Sequence, residues 1–314
     1  MEKKDNETQL TLEISDDVHS EPIESKQILK VLFGLMERGG DTNFIYLPTG
    51  FQELDKILLG GIQTSDLVVV AARPSIGKTQ FVLNIAAKNL VMEDPIPVLI
   101  FTPEMTRSEL LLRMLSYNTK SVLGVLEKGL RQETEWPKLE NAACNLADVP
   151  LFIDDTANIS FSELSKKAQS LKNKRGLGLL IVDGFSLMPP ITLRPTRDDE
   201  LNDLSRNFKC LAKELCVPVI LTSYLSQRDD DGTDKMPVLA DLANTGLDKY
   251  ADLVLFLCVD NIHNKEKGKT DQVVDVSIGK NRTGSLDTVK IKMVKNYFYY
   301  KKQNGKFHER NVTS

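Results

Sequence analysis

The chain has 314 residues, 41% hydrophobic and 27% charged, with 40 Lys/Arg against 44 Asp/Glu for a net charge of −4. This composition excludes a disordered, collagenous or low-complexity protein, and the charge balance excludes a binder held mainly by bulk positive charge. The charge is uneven, because residues 1–24 carry eight acids and two bases, whereas residues 261–314 hold twelve Lys/Arg against five Asp/Glu.

The acidic residues 1–24 have only scattered apolar positions and are expected to be a disordered tail. Ser25 has the chemistry of an N-cap, and Ile28, Val31, Leu32 and Leu35 follow at helical spacing until Gly39-Gly40. Residues 25–40 are therefore predicted as a short helix, which must lean on its own domain or on a neighbouring subunit to be stable. From Leu67 onward the pattern alternates. Strands are predicted at Leu67–Ala72, Val98–Thr102, Leu151–Ile153, Leu179–Val182, Val217–Thr222 and Leu253–Val259. Helices are predicted at Lys78–Val91, Arg107–Leu115, Phe161–Leu171 and Leu201–Leu215. Apolar strands separated by helices imply a mostly parallel central sheet covered on both faces. Gln272–Lys280, Thr288–Val294 and Tyr297–Lys301 read instead as consecutive antiparallel strands, a β-rich carboxyl-terminal end. Residues 41–314 are thus expected to form one α/β domain.

Cys144, Cys210, Cys216 and Cys258 lack CxxC spacing, and three of them lie in apolar runs, so they are expected to be small, reduced core residues. No uncharged run reaches membrane-span length, and Glu2-Lys3-Lys4-Asp5 is unlike a secretory signal, which predicts a soluble cytoplasmic protein with no membrane association.

The strongest chemical signal is Ala72-Arg73-Pro74-Ser75-Ile76-Gly77-Lys78-Thr79, which follows a predicted strand and opens a predicted helix. That is the setting of a phosphate loop. Backbone N–H groups around Gly77 would cradle the phosphates of ATP, Lys78 would reach the β- and γ-phosphates, and the Thr79 hydroxyl would bind Mg²⁺. Arg73, Pro74, Ser75, Ile76, Gly77, Lys78, Thr79 and Gln80 form the candidate nucleotide-binding set. Ala72 stands where the strict pattern has glycine. A second Mg²⁺ group is expected at the end of a buried strand, and Leu179-Leu180-Ile181-Val182-Asp183 places Asp183 there; otherwise it is an ordinary loop aspartate. Glu104, just past Val98–Thr102, is a candidate catalytic base for orienting or deprotonating water. As a surface glutamate it would be unremarkable.

These segments together resemble the DnaB-type replicative helicases, specifically their carboxyl-terminal RecA-like motor domain, over about residues 25–302. The phosphate loop is similar down to its Arg-Pro-Ser insert. Thr49-Gly50-Phe51 with Leu54-Asp55 and Gly60-Gly61 resembles the family's opening segment. Glu104-Met105, Ser108 and Arg113-Met114-Leu115 resemble its second motif, and Asp183 with Leu187-Met188 its Walker B strand. Leu204-Ser205-Arg206, Leu211-Ala212-Lys213-Glu214-Leu215 and Val217-Pro218-Val219-Ile220 resemble the next helix and strand. Lys280-Asn281-Arg282-Thr283-Gly284 resembles its late basic hairpin.

The resemblance implies a RecA-like P-loop NTPase that assembles as a homo-oligomeric ring, usually a hexamer, with ATP between subunits and single-stranded DNA in the centre. A helicase loader or other replication protein would be a further partner. Lys280 and Arg282, which alone would read as a solvent-facing turn, match basic residues that a neighbour offers to the γ-phosphate. Residues 25–40 match the family's linker helix, and nothing in the 314 residues corresponds to its amino-terminal helical domain. Tyr224 stands where the family has a glutamine that senses nucleotide state. Ala243 and Asn244, within Asp241–Gly246, replace an arginine and a glutamate of a loop touching the DNA backbone; Arg194, Arg197, Arg228 and Lys249 are other candidates for DNA phosphates. The expected function is an ATP-driven helicase motor in DNA replication. The alternative is a helicase-derived ATP-binding assembly or regulatory protein that does not unwind DNA. A small-molecule kinase would need a substrate lid and an acceptor site, which the sequence does not supply.

Overall fold

The structure is a computed structural model that describes residues 25–26, 46–119, 136–225, 236–259, 271–294 and 299–302. The expectations for residues 1–24, 27–40 and Arg228 lie outside these residues.

In chain order the described elements begin with strand β1 (Tyr46–Leu47), helix α1 (Gln52–Ile57), β2 (Ile62–Gln63), β3 (Leu67–Ala72), α2 (Lys78–Leu90) and β4 (Val98–Phe101). They continue with α3 (Arg107–Thr119), α4 (Trp136–Ala147), β5 (Leu151–Asp154), α5 (Phe161–Arg175), β6 (Leu179–Asp183) and α6 (Arg197–Leu215). The last are β7 (Val219–Tyr224), a short 3-10 turn (Leu239–Thr245), α7 (Leu247–Tyr250), β8 (Leu253–Val259), β9 (Asp271–Asn281), β10 (Thr288–Val294) and β11 (Tyr299–Lys302).

Among the described residues nine strands form one sheet, in the order β11-β10-β9-β8-β3-β7-β6-β4-β5. From β8 to β5 all pairs are parallel; β8–β9, β9–β10 and β10–β11 are antiparallel. This is the expected mostly parallel sheet with a β-rich end. The aliphatic runs are buried on both sides because successive side chains alternate between two cores. Val68, Val70 and Ala72 join a core with α1, α2 and α3, while Leu67, Val69 and Ala71 join a second core with α5 and α6. The strands β4, β6 and β8 divide in the same way. In β9 and β10 one face enters the first core through Val274, Val276, Ile278, Val289, Ile291 and Met293, while the other mixes the buried Val273 and Val294 with polar residues such as Lys290, which pairs with Asp275 at 2.9 Å.

The opening segment anchors the phosphate-loop helix. Asp55 accepts hydrogen bonds from Thr49 N at 2.7 Å, Thr49 Oγ1 at 2.6 Å and Gly50 N at 3.2 Å, and the Phe51 ring stacks on Phe81 of α2 at 5.0 Å. Two sequence expectations need correction. Cys144 and Cys210 are exposed and Cys216 and Cys258 only half-buried, because the first two lie on outward faces of α4 and α6. The helix α4 was not anticipated, since Ala142 is its one fully buried residue and leaves little apolar stripe to read.

At the edge where the parallel strands begin, Asp252 accepts from Leu67 N at 2.8 Å and Lys209 Nζ at 2.5 Å, and from Arg282 Nη1 at 3.3 Å. Burial, and then the Asp252 charge, push the nearby Asp66 carboxyl up to about 6. A carboxyl raised on folding binds more protons folded than unfolded, so this group's contribution to stability falls as pH rises from about 4 to about 6. Asp66→Asn is therefore expected to raise the urea midpoint more at pH 7.5 than at pH 5. An equal or smaller gain at pH 7.5 would contradict it.

Candidate active site

All parallel strands end at the opposite edge, and the loops leaving β3, β4, β6 and β7 meet there. β3 runs into a loop in which Ser75 (φ 65°) and Gly77 (φ 104°) are left-handed. Gly77 is the N-cap of α2 and supplies no side chain to its first N–H groups, which leaves those donors for a ligand. The missing glycine at Ala72 has no structural cost, because this residue is the last of β3, paired with Tyr224 and Leu257 in ordinary strand register.

Lys78 is 7% exposed. Its ammonium donates to Ala72 O at 3.3 Å and lies 3.7 Å from the centroid of the Tyr224 ring. Burial pulls its pKa down to about 8, against the opposing pull of Asp183 and Glu104. Asp183, 2% exposed, accepts from Thr79 Oγ1 at 2.8 Å and from Thr222 Oγ1 at 2.7 Å. Its burial raises the carboxyl pKa despite both hydroxyl donors. Thr222 also accepts from Gly184 N at 2.9 Å. Gly184 has φ 115°, and a Cβ there would lie 3.4 Å from Pro103 and 3.8 Å from the Glu104 Cβ, so the β6 turn passes directly beneath the Glu104 loop. Glu104 Oε1 accepts from the Tyr224 hydroxyl at 2.7 Å, and burial followed by this bond pushes the Tyr224 pKa up to about 12.

Lys78, Thr79, Asp183 and Glu104 thus converge. Arg73 and Ile76 are half-buried and Pro74 and Ser75 exposed. Gln80 turns inward, its Oε1 buried without a hydrogen-bond partner among the described residues. The adjacent hydroxyl and buried carboxylate of Thr79 and Asp183 suit a hard cation that takes one carboxylate together with substrate phosphates, as Mg²⁺ does. Among the described residues no group of three or more His, Cys, Asp or Glu side chains offers a self-sufficient metal cage.

Lys280 and Arg282 are elsewhere. β9 runs antiparallel to β8, so Lys280 pairs with Val254 at the beginning of that strand. Arg282 follows, its side chain 68% exposed. Val254 lies beside Val69, three positions before Ala72, so Lys280 sits about 10 Å of strand away from its own phosphate loop, and Arg282, two residues on, further still. Lys280 Nζ donates to the carbonyls of Asp248 and Lys249 at 2.9 and 3.0 Å. Of the candidate DNA contacts, Arg194 is paired with Asp203 at 2.6 Å. Arg197 holds Glu200 at 3.0 Å and the carbonyls of Ser186 and Met188. Both side chains therefore brace the segment after β6. The sequence reading missed Thr222 and the contacts of Tyr224. The sequence offered only the polar end of this strand, Thr222-Ser223-Tyr224, which says nothing of its neighbours.

A phosphate loop at the carboxyl edge of a parallel sheet, with a buried carboxylate against its threonine, defines a P-loop NTPase domain of RecA-like fold. Residues 46–302 match the family model described as DnaB-like helicase C terminal domain, and the chain belongs to that family. It is 34% identical to the replicative DNA helicase DnaB of Geobacillus stearothermophilus over 96% of its own length and 67% of the relative's. It is 36% identical to the replicative DNA helicase DnaC of Bacillus subtilis (strain 168), over 88% of its length and 61% of the relative's. Among solved structures, the ATPase domain of G40P matches with a TM-score of 0.79 and 27% identity, covering 90% of this chain and all of that one. A DnaB-like replicative helicase, described with its interactions with primase, matches with a TM-score of 0.74 and 26% identity over 93% of this chain and 70% of that one. No helix among the described residues is long and apolar enough to cross a membrane.

Thr222→Val keeps the side-chain shape while removing a donor from Asp183 and an acceptor from Gly184. It is expected to destabilise the fold by about 2 kcal/mol, read as a lower denaturant midpoint; an unchanged midpoint would show that neither bond matters.

Proposed function

We infer that this chain is the ATP-hydrolysing motor of a DNA helicase acting in replication. The observation that carries the reading is the convergence of Lys78, Thr79, Asp183 and Glu104 at one edge of the sheet, within a domain of this family. The N–H groups at the start of α2 cradle the phosphates, with the residues from Arg73 to Gln80 shaping the loop, and Lys78 neutralises charge on the β- and γ-oxygens. Thr79 and Asp183 hold Mg²⁺, which when bound supplies further positive charge to those oxygens. Glu104 orients the attacking water and takes its proton.

Arg282, assisted by Lys280, serves the γ-phosphate held by an adjoining copy in a homo-oligomeric ring, usually of six. Support comes from its exposure and its place at the edge remote from its own loop. Single-stranded DNA is the proposed track, and a loader or primase the proposed further partner; primase is named with one structural neighbour. The regulatory alternative draws on one observation: Ala243 and Asn244, which present the outward face of the turn before α7, carry no charge for a DNA backbone.

Lys78→Ala is expected to lower ATP turnover at least about a hundredfold, and Arg282→Ala at least about tenfold with nucleotide binding retained. Mixing the two impaired proteins should give more activity than the sum of the two alone, because some mixed interfaces pair an intact Lys78 with an intact Arg282. Lack of recovery would sink the shared site. Turnover that single-stranded DNA fails to stimulate would favour the regulatory alternative.

A further inference from the structure

Tyr224 is the last residue of β7 and joins the two groups that the preceding chemistry needs to act in sequence. Its backbone is locked, since it pairs with Ala72 and the next residue, Leu225, donates its N–H to Ala72 O at 3.1 Å. Only the side chain can move. The ring lies 3.7 Å from the Lys78 ammonium, and the hydroxyl, at its far end, donates to Glu104 Oε1 at 2.7 Å. A buried ammonium needs electron density around it, and here one backbone carbonyl and one aromatic face provide it. A ring face attracts a cation more weakly than an anionic phosphate does, so phosphate displaces it at a cost in affinity. Glu104 stands on an exposed loop, and Tyr224 is its one hydrogen-bond donor among the described residues. A carboxylate held through one oxygen keeps the other for water.

We propose that Tyr224 is a positioning residue with two separable effects: its ring competes with nucleotide phosphate for Lys78, and its hydroxyl aligns Glu104 as base. This rests on the ATPase reading of the same site.

The separation dictates the experiment. The dissociation constant of a fluorescent ATP analogue with Mg²⁺, and kcat for ATP, are measured on the full chain carrying Tyr224→Phe or Tyr224→Leu. Phenylalanine keeps the ring and loses the hydroxyl, so affinity should stay within about twofold while kcat falls about tenfold. Leucine loses both, so the analogue should bind about fivefold tighter, with kcat lowered as for phenylalanine. A merely structural tyrosine would give Phe and Leu variants that weaken binding and turnover together, and that result overturns the proposal. So does a Leu variant that binds no tighter than the parent protein. Lys78→Ala separates the levels. If it binds the analogue like the parent, the phosphate site itself is misassigned and the tyrosine inference falls with it. If it loses binding while the Tyr224 variants are silent, only the inference fails.

Discussion

Asp183 carries its carboxylate into a setting almost wholly withdrawn from water, and a buried carboxylate persists only where its oxygens find donors. Both oxygens are met by hydroxyls from other elements, Thr79 at the start of α2 and Thr222 near the end of β7. Thr222 in turn holds the N–H of Gly184 on the turn that follows. The helix that follows the phosphate loop is thereby fixed against two strands to within a hydrogen-bond length. Donors aimed at a ligand stabilise it best when they need not reorganise to meet it. The same contacts that satisfy one buried charge therefore hold the loop in a prepared orientation.

Sheet polarity then separates the remaining cations from that loop. Parallel strands deliver every loop after β3, β4, β6 and β7 to one edge, whereas the antiparallel return of β9 delivers Lys280 and Arg282 to the other. They are not loose there. Arg282 N donates to Asp252 O at 3.0 Å, its side chain reaches the Asp252 carboxylate, and Lys280 holds two carbonyls of α7. Because α7 directly follows the Leu239–Thr245 turn, the basic hairpin and that turn are tied into one mechanical unit.

Much of this was legible because its causes are local. The two-sided strands β3, β6 and β8 have no polar interruption, and the structure bounds them within a residue of the sequence reading. Helix ends were less legible: α6 starts at Arg197 rather than Leu201, since its first turn is acidic and capped by Thr196, with no apolar residue to set a period. Likewise α3 and α5 continue through polar last turns to Thr119 and Arg175. Within the site, Lys78, Thr79, Asp183 and Glu104 could be named singly from their strand ends. Thr222 could not, and Tyr224 stood out only as a departure from the resemblance, because their contacts depend on β7 lying between β3 and β6, and strand order is a tertiary fact that no single segment encodes.

Two departures from the familiar pattern meet across one strand pair, and their consequences differ for a physical reason. Ala72 replaces a glycine at a position whose backbone is plain strand, where a methyl group demands no unusual φ and is simply buried. Tyr224, directly opposite, places an aromatic ring over the ammonium of Lys78 and a phenol against Glu104. A substitution at such a strand end is silent when it changes only shape within allowed conformations. It acquires a role when it changes which charges face one another, and at this edge of the sheet only the second residue does so.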